Sequence, residues 1–290
     1  MQLDVYLVTR EKSYNKKIHV LLICNSYAHH EELLALGYTV SLLVPLNEKE
    51  RIATNSISYR SVEFIKNIKS YDSWETGAFK INKIRNIDLV FSFNELFFKN
   101  CLLLSESLNL DYPLSLSNIE LFEDKYLMRQ VFASELGDDV RASLCQSADQ
   151  VKSFADKYGY PCVLKPQIGS GSTGVSLISS EVDIESAIEW YVDRNEEHSR
   201  GNMMLETFIF GDEYSVEMFS ENGDHKLVCV VKKFKDDQHF IGQGHVLPAP
   251  ISRTDQKRIV ISVKNYLTGF GYQNGPVSYT HLTLPTIYSV

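Results

Sequence analysis

The stretch Cys162-Val-Leu-Lys-Pro166, the loop Gln167-Ile-Gly-Ser-Gly-Ser-Thr-Gly174 and the run Val175-Ser-Leu-Ile-Ser179 together decide the fold of this sequence. Both flanking runs are apolar and rich in strand-forming residues, so the glycine-rich loop is predicted to join two strands. The loop matches G-x-G-x-x-G, but a dinucleotide-binding fingerprint opens a helix directly after a strand. A Walker A loop is excluded because Val175 follows Gly174, where that motif requires lysine.

The loop instead offers groups suited to phosphate. Its backbone N–H groups and the hydroxyls of Ser170, Ser172 and Thr173 can wrap phosphate oxygens. Lys165 lies inside the preceding apolar strand, where an unpaired ammonium is costly, so we expect an anion beside it. The alternative interpretation of this segment alone is a hairpin turn with a solvated lysine nearby.

Composition limits the class of protein. A chain of 290 residues with 44% hydrophobic content is long enough for one large or two moderate domains. The net charge of −8 argues against nucleic acid as a partner. No apolar run reaches the roughly 18 residues that span a membrane, and no secretory signal pattern opens the chain. The cysteines lack C-x-x-C pairing, so we expect reduced thiols in a cytoplasmic protein.

The first part of the chain alternates short apolar runs with segments that can be helical. The predicted strands are Leu3–Val8, Ile18–Cys24, Thr39–Val44 and Ile87–Phe93. A helix is expected over His29–Leu36, closed by Gly37. This alternation predicts an α/β fold with a parallel, doubly wound sheet. Pro113 favours a turn and a domain boundary, which gives a first domain of residues 1–112.

Helix caps organise the middle of the chain. Ser117 with Glu120 has the pattern of a capping box, ahead of a helix that places Lys125 and Arg129 one turn apart. Ser147 with Gln150 forms a second such box, before a helix that Gly159 ends.

Later segments predict an antiparallel sheet. Strands are expected at Met203–Ile209, Glu213–Ser220 and Lys226–Phe234, the last two forming a hairpin. A loop follows over Gly242–Pro250, and Thr254 is expected to cap a last helix.

Four linked motifs give this sequence a family resemblance. They are Asp124-Lys-x-x-Met-Arg129, Gly159-Tyr-Pro-x-Val-Leu-Lys-Pro166, the glycine loop, and Leu205-Glu-x-Phe-Ile-x-Gly-x-Glu-Tyr-Ser-Val-Glu217. Their order and spacing resemble the ATP-grasp superfamily, of the carboxylate–amine ligase type that includes amino-acid ligases. The resemblance implies a Rossmann-like N-terminal lobe followed by an ATP-grasp domain, in which two α+β lobes clasp ATP. That domain would cover residues 113–277 and be incomplete at its C-terminal end.

The resemblance also implies roles in ATP binding. Lys125 would contact the α-phosphate side and Lys165 the α- and β-phosphates. The loop residues that would surround the phosphates are Ser170, Gly171, Ser172 and Gly174. The backbone from Glu206 to Ile209 would read the adenine while Phe208 and Ile209 cover the base, and Glu213 would accept from the ribose hydroxyls. The alternative for Glu206 and Glu213 is a pair of solvent-facing carboxylates on a strand edge.

Catalytic roles follow from the same resemblance. Lys233 would face the phosphates or the acyl intermediate, with a solvated strand end as the alternative. His245 lies in a segment that resembles the substrate loop of these ligases, with a structural loop histidine as the alternative. The implied reaction is attack of a substrate carboxylate on the γ-phosphate, followed by capture of the acyl phosphate by an amine. ATP, a carboxylate and an amine are therefore the expected partners, with amino acids as candidates for the last two.

The end of the chain departs from the family pattern. Family members continue after the equivalent of Gly275-Pro-Val277 with histidine, glutamate and asparagine residues that hold magnesium. Here the sequence reads Ser278 to Val290, and no acidic residue follows Asp255. Mg²⁺ is expected for the family, yet no metal ligand is predicted, since this ion needs oxygen ligands. We interpret residues 278–290 as an off-pattern tail and expect a longer natural protein.

Three hypotheses of function therefore stand at this stage. The first is an ATP-dependent ligase that is impaired or inactive as this chain. The second, from a different class, is a non-catalytic nucleotide-binding module with the same fold. The third, a dinucleotide-dependent oxidoreductase, rests only on the G-x-G-x-x-G match and is disfavoured by its predicted strand-loop-strand setting.

Overall fold

The computed structural model describes residues 17–282 except 24–28, 55–56, 136, 138 and 196–199. Contacts among these residues divide the chain into two compact units, one ending at Ile119 and the next beginning at Glu120. The predicted boundary lay seven residues earlier, between positions 112 and 113. The predicted strand Leu3–Val8, Cys24 and most of the tail lie outside the described residues. No described helix is long and apolar enough to cross a membrane.

The first unit contains a parallel sheet of four described strands. They are β1 (His19–Ile23), β2 (Thr39–Pro45), β3 (Val62–Ile65) and β4 (Leu89–Phe91). Their order is β3-β2-β1-β4, and every neighbouring pair is parallel. The parallel sheet is therefore confirmed. Strand β3 was not predicted, because its segment is short and only its last residue is buried.

Helices pack against both faces of this sheet. They are α1 (His30–Ala35), α2 (Lys49–Thr54), α3 (Tyr71–Ile84) and α4 (Phe98–Ser107). Successive strand residues point to opposite faces, so Leu21 packs with Trp74 of α3 while Leu22 packs with Leu33 of α1. Gly77 allows α3 close approach, since a Cβ there would lie 2.6 Å from Leu43 Cδ1. The doubly wound arrangement is confirmed.

Two helices replace the single helix predicted around Lys125. Helix α5 spans Leu116–Glu123 and helix α6 spans Lys125–Glu135. Ser115 caps α5 by accepting from the Asn118 N–H at 3.1 Å, so the predicted box at Ser117 is wrong. The Asp124 carboxylate caps the start of α6 by accepting hydrogen bonds from the N–H groups of Tyr126 and Leu127. Serine is a favoured N-cap residue and occurs at both 115 and 117, so the local sequence did not distinguish the two positions.

The second unit has a first sheet of antiparallel strands. They are β5 (Ala142–Cys145), β6 (Cys162–Ile168), β7 (Ser176–Ile178) and β8 (Arg200–Thr207), in the order β5-β8-β6-β7. Helices α7 (Ala148–Tyr158) and α8 (Ile184–Asn195) share its core. Ser147 caps α7 as predicted. Because β6 and β7 are antiparallel, the glycine loop joins two strands, and the dinucleotide interpretation of that loop is wrong.

A second antiparallel sheet completes this unit. It contains β9 (Glu213–Glu221), β10 (Asp224–Lys235), β11 (Gly242–Val246) and β12 (Gly275–Leu282), in the order β11-β10-β9-β12. The predicted hairpin is confirmed, whereas the predicted loop at Gly242 begins instead as an edge strand.

Helix α9 (Arg253–Gly269) packs on the second sheet. Ser252 caps it by accepting from the Asp255 N–H at 3.1 Å, so Thr254 is not the cap. The predicted end of the family pattern, at residue 277, lies within β12, which pairs with β9 as far as Leu282.

Candidate nucleotide-binding site

A buried carboxylate lies at the centre of the candidate site. Glu206, near the end of β8, is 4% exposed and accepts hydrogen bonds on both of its oxygens. Lys165 of β6 donates to Oε1, and Arg129 of α6 donates from Nε to Oε2 at 3.0 Å. These three side chains are called the 129–165–206 cluster. The interpretation of Glu206 as a solvent-facing strand-edge carboxylate is therefore wrong.

The charges of this cluster shift the pKa values of its members. Burial alone would raise the pKa of Glu206, but the attraction of Lys165 and Arg129 outweighs it and lowers the pKa to about 2. Burial lowers the pKa of Lys165, and Arg129 lowers it further, against the opposing attraction of Glu206. One carboxylate thus faces two cations. The anion expected beside Lys165 is Glu206, and the three side chains of the cluster carry two positive charges and one negative charge.

Lys125 lies where the glycine loop begins. Its ammonium, on the first turn of α6, donates to the carbonyl oxygen of Gly169. Asp124 forms an isolated antiparallel bridge with Ile168, and the Gln167 amide donates to the Asp124 carboxylate at 2.7 Å. These contacts fasten the start of α6 to the end of β6. The structure therefore brings both predicted phosphate-binding lysines to the base of the loop, as the sequence motifs required.

The loop itself is built from left-handed backbone. Gly171, Ser172 and Gly174 have φ of 65°, 59° and 69°, values that glycine adopts without a steric cost. Two N–H groups close turns within the loop, from Thr173 to Ser170 O at 3.3 Å and from Val175 to Ser172 O at 3.2 Å. The Ser172 hydroxyl donates to the carbonyl oxygen of Phe240 at 2.7 Å. The predicted loop residues thus form a tight turn. The Ser172 hydrogen bond holds this turn against a segment that is distant in sequence.

That distant segment, residues 236–241, connects β10 to β11 and is called the 236–241 segment. The Leu177 N–H donates to Gln238 O at 2.8 Å, so the segment lies alongside β7, the edge strand of the first sheet. His239 stacks on Trp190 of α8 with ring centroids 3.7 Å apart and planes at 15°. The Arg194 guanidinium lies 3.3 Å from the same ring centroid, which places it on the opposite face. The second sheet thereby covers the loop carried by the first, a contact that sequence analysis missed.

The residues predicted to hold adenine join the two sheets. Residues 208–212 run from β8 to β9. The Phe208 N–H donates to Pro161 O at 3.3 Å, and the Phe208 ring lies edge-on to Phe210 at 4.8 Å and 6.1 Å from Phe240. Ile209 follows and is half-buried. An apolar surface is therefore present at the predicted adenine position, and Phe240 adds to it without any local sequence signal.

Glu213 opens β9 and is also turned away from solvent. Its carboxylate pairs with the Lys235 ammonium at 2.5 Å, and the two side chains are 16% and 21% exposed. The interpretation as a solvent-facing strand-edge residue is therefore wrong for Glu213 too. Lys235 was not predicted as a site residue. Its signal was available, since a third lysine follows Lys232 and Lys233 in the same strand.

The predicted catalytic residues lie opposite each other. Lys233 of β10 pairs in register with His245 of β11 on one side and with Glu213 of β9 on the other. Side chains at paired positions share one face of a sheet. The Lys233 ammonium also donates to the Thr280 hydroxyl of β12 at 3.3 Å. The sheet thus gathers Glu213, Lys233 and His245 on one face, although they are far apart in sequence.

The same sheet carries a further carboxylate, that of Glu217 on β9. Glu217 accepts hydrogen bonds on Oε1 from the hydroxyls of Ser215 and Ser278, each at 2.9 Å. Within residues 17–282, less the gaps given above, no group of three or more histidine, cysteine, aspartate or glutamate side chains is arranged to hold a metal ion.

Comparisons with known proteins agree with this architecture. Residues 158–282 match the ATP-grasp domain family. The formate-dependent phosphoribosylglycinamide formyltransferase of Bacteroides fragilis is 29% identical over 153 residues, covering 50% of this chain and 38% of that protein. The solved L-amino acid ligase from Bacillus licheniformis has a TM-score of 0.76 at 18% identity, covering 92% of this chain and 64% of that chain. Biotin carboxylase from Campylobacter jejuni, solved as a β-γ-ATP complex, has a TM-score of 0.71 at 17% identity, covering 92% and 62%.

Residues 158–282 therefore match an ATP-grasp domain, and over these residues the predicted resemblance to the ATP-grasp superfamily is confirmed. The mixed α/β fold class is confirmed as well. The chain spans about a third of the length of the curated relatives it matches, 33% and 38% for the first two. At 17–18% identity, the solved structures show a shared fold.

Proposed function

We propose that this chain binds ATP at the glycine loop, as part of an enzyme that joins a carboxylate to an amine. One observation carries the proposal: Lys125 donates to Gly169 in the loop, and Lys165, on the strand that leads into the loop, belongs to a buried cluster of two cations and one carboxylate. A polyphosphate adds negative charge beside these cations. Each charge-assisted hydrogen bond to it contributes about 1.5–3 kcal/mol.

The nucleotide would lie across the contacts described above. Lys125 would meet the α-phosphate side and Lys165 the α- and β-phosphates, with the loop residues wrapping them. The adenine would lie against the connection after Glu206, under Phe208 and Ile209. The ribose hydroxyls would donate to the Glu213 carboxylate, which has acceptor capacity beyond its bond to Lys235.

The chemistry we propose proceeds in two transfers. A carboxylate oxygen attacks the γ-phosphorus, the bond from that phosphorus to the β-γ bridging oxygen breaks, and ADP leaves. The amine nitrogen then attacks the acyl carbon, phosphate leaves and the nitrogen loses a proton. Lys233 would stabilise charge on the transferring phosphoryl group or the acyl phosphate, and His245 would contact the substrate.

Phosphoryl transfer of this kind uses Mg²⁺, which neutralises charge between the phosphates. Among the described residues, no group of three or more histidine, cysteine, aspartate or glutamate side chains is arranged to hold it. The roles proposed here therefore rest on the lysines and the loop alone.

Amino acids are the proposed carboxylate and amine. The solved L-amino acid ligase supports this choice, since its fold covers 92% of this chain.

A cytoplasmic location is proposed as well. The described cysteines are free thiols, and burial raises the pKa of Cys145 to about 12, which keeps that thiol protonated and inert.

The proposal is tested by trapping the acyl phosphate. The chain is incubated with ATP, Mg²⁺, mixtures of amino acids and hydroxylamine, and hydroxamate and ADP are measured. We expect both products from the wild-type chain and neither from Lys165→Ala. Absence of hydroxamate with every amino acid and other carboxylates supplied would count against the ligase.

The second candidate is a nucleotide-binding module without turnover. Strand β12 favours it. Ser278 and Thr280 place neutral hydroxyls beside Glu217 and Lys233, in the part of the chain where the family pattern has residues that hold magnesium. ADP and ATP binding without hydroxamate would support this candidate over the ligase.

A further inference from the structure

We propose that Arg129 is a positioning residue that keeps Glu206 paired when Lys165 turns from Glu206 to the nucleotide. The inference rests on the proposed binding of ATP at the glycine loop. It assigns a role to Arg129, to which the proposed function gives none. Arg129 would act through Glu206 and would not touch the phosphates.

The geometry allows the two partners of Glu206 to act separately. Lys165 uses Oε1, whereas Arg129 uses Oε2 at 3.0 Å, so neither hydrogen bond depends on the other. The two cations also come from different elements, β6 and α6. Lys165 can therefore leave Glu206 for a phosphate oxygen while the bond from Arg129 stays in place.

Charge explains why the second partner is needed. A buried carboxylate with no cation beside it is costly and takes up a proton to become neutral. Glu206 is 4% exposed, so water cannot replace a lost partner. The groups that act most strongly on Glu206 are Lys165 and Arg129, and Lys235 of β10 repels Lys165 in turn. Arg129 thus keeps Glu206 ionised when Lys165 moves away to bind an incoming anion.

This arrangement has a measurable consequence in a variant that lacks the arginine. In Arg129→Gln, Lys165 is the remaining cation of the cluster and is shared between Glu206 and the nucleotide. When it moves to the phosphates, Glu206 is left without a cation and must take up a proton. Nucleotide binding then becomes weaker as pH rises and is accompanied by proton uptake, which a purely structural role of Arg129 would not produce.

The experiment is calorimetric titration with ADP at about pH 7.5, repeated in buffers of different ionisation enthalpy, which gives the protons exchanged per ADP. The variants are Arg129→Gln, the conservative Arg129→Lys and the control Arg258→Gln, which removes an exposed arginine from α9. Relative to the wild-type chain, we expect Arg129→Gln to take up about one additional proton and to bind ADP at least about tenfold more weakly. Arg129→Lys and Arg258→Gln should match the wild-type proton count.

Wild-type affinity and proton count in Arg129→Gln would overturn the inference while leaving the nucleotide site intact. No ADP or ATP binding by the wild-type chain would instead overturn the proposed function. If Arg129→Gln alone fails to fold, the triple variant Arg129→Gln, Lys165→Gln and Glu206→Gln should fold, because it removes the buried carboxylate together with both of its cations. Failure of that triple variant to fold would also contradict a role exerted through Glu206.

Discussion

Lys233 and His245 face each other across two neighbouring antiparallel strands, β10 and β11. The two residues are 12 positions apart in the sequence. The 236–241 segment reverses the chain direction between their strands and so brings them together. Paired positions in such a ladder hold their Cβ atoms about 4.5–5.5 Å apart. The two residues proposed to serve the reacting groups therefore lie side by side, and Glu213 of β9 lies beside Lys233 on its other flank.

This pairing predicts non-additive effects on turnover. Lys233→Ala and His245→Ala should each lower hydroxamate formation by about a hundredfold, because each removes part of one charge-stabilising pair. The double variant should lose little more than either single variant. ADP affinity, measured by calorimetry, should stay within about threefold of wild type, since neither residue contacts the adenine or the first phosphates in the proposed complex. Fully multiplicative losses would contradict a shared role.

Acid should weaken the contribution of Glu206 to stability. Its pKa is lowered from 4.5 to about 2, so the stabilisation is complete above pH 4.5 and is lost as pH falls towards 2. A shift of that size corresponds to about 3 kcal/mol. The gap in urea midpoint between the wild-type chain and Glu206→Gln should therefore be widest near neutral pH and narrow below about pH 4.5. A gap that is constant across this range would show that Glu206 is not held ionised by the cluster.

The 236–241 segment should protect the glycine loop. His239→Ala removes the ring that stacks on Trp190 at 3.7 Å, and with it one of the contacts that hold the segment against β7. We expect amide hydrogens of residues 169–177 to exchange about tenfold faster in this variant. His29→Ala is the matched control, because the His29 ring also lies against an aromatic ring, that of Phe93 at 4.9 Å, in the other unit. Equal exchange in both variants would show that the segment does not restrain the loop.

Local patterns predicted the elements that local chemistry determines. Strands β1, β2 and β4 of the first unit, the cap at Ser147 and the strand-loop-strand setting of the glycine loop follow from apolar runs and turn residues. In the structure, Lys125 contacts the loop at Gly169, and Lys165 lies on the strand that leads into it.

Features set by distant partners were not predictable in this way. Strand β11 contains two glycines and is exposed along its length, so only its pairing with β10 defines it as a strand. Arg129 was recognised as a motif residue, but its pairing with Glu206 depends on how α6 packs on β8. The stacking of His239 on Trp190 likewise joins two segments that carry no shared sequence signal.

The central claim is that the glycine loop and its lysines bind the phosphates of ATP. Calorimetric titration of the wild-type chain and Lys165→Ala with ADP and with ATP, each with and without Mg²⁺, tests it most directly. We expect both nucleotides to bind the wild-type chain, and Lys165→Ala to lose at least about tenfold in affinity with its circular dichroism spectrum unchanged, because Glu206 keeps Arg129 as a partner. Wild-type affinity in a folded Lys165→Ala chain would contradict the claim.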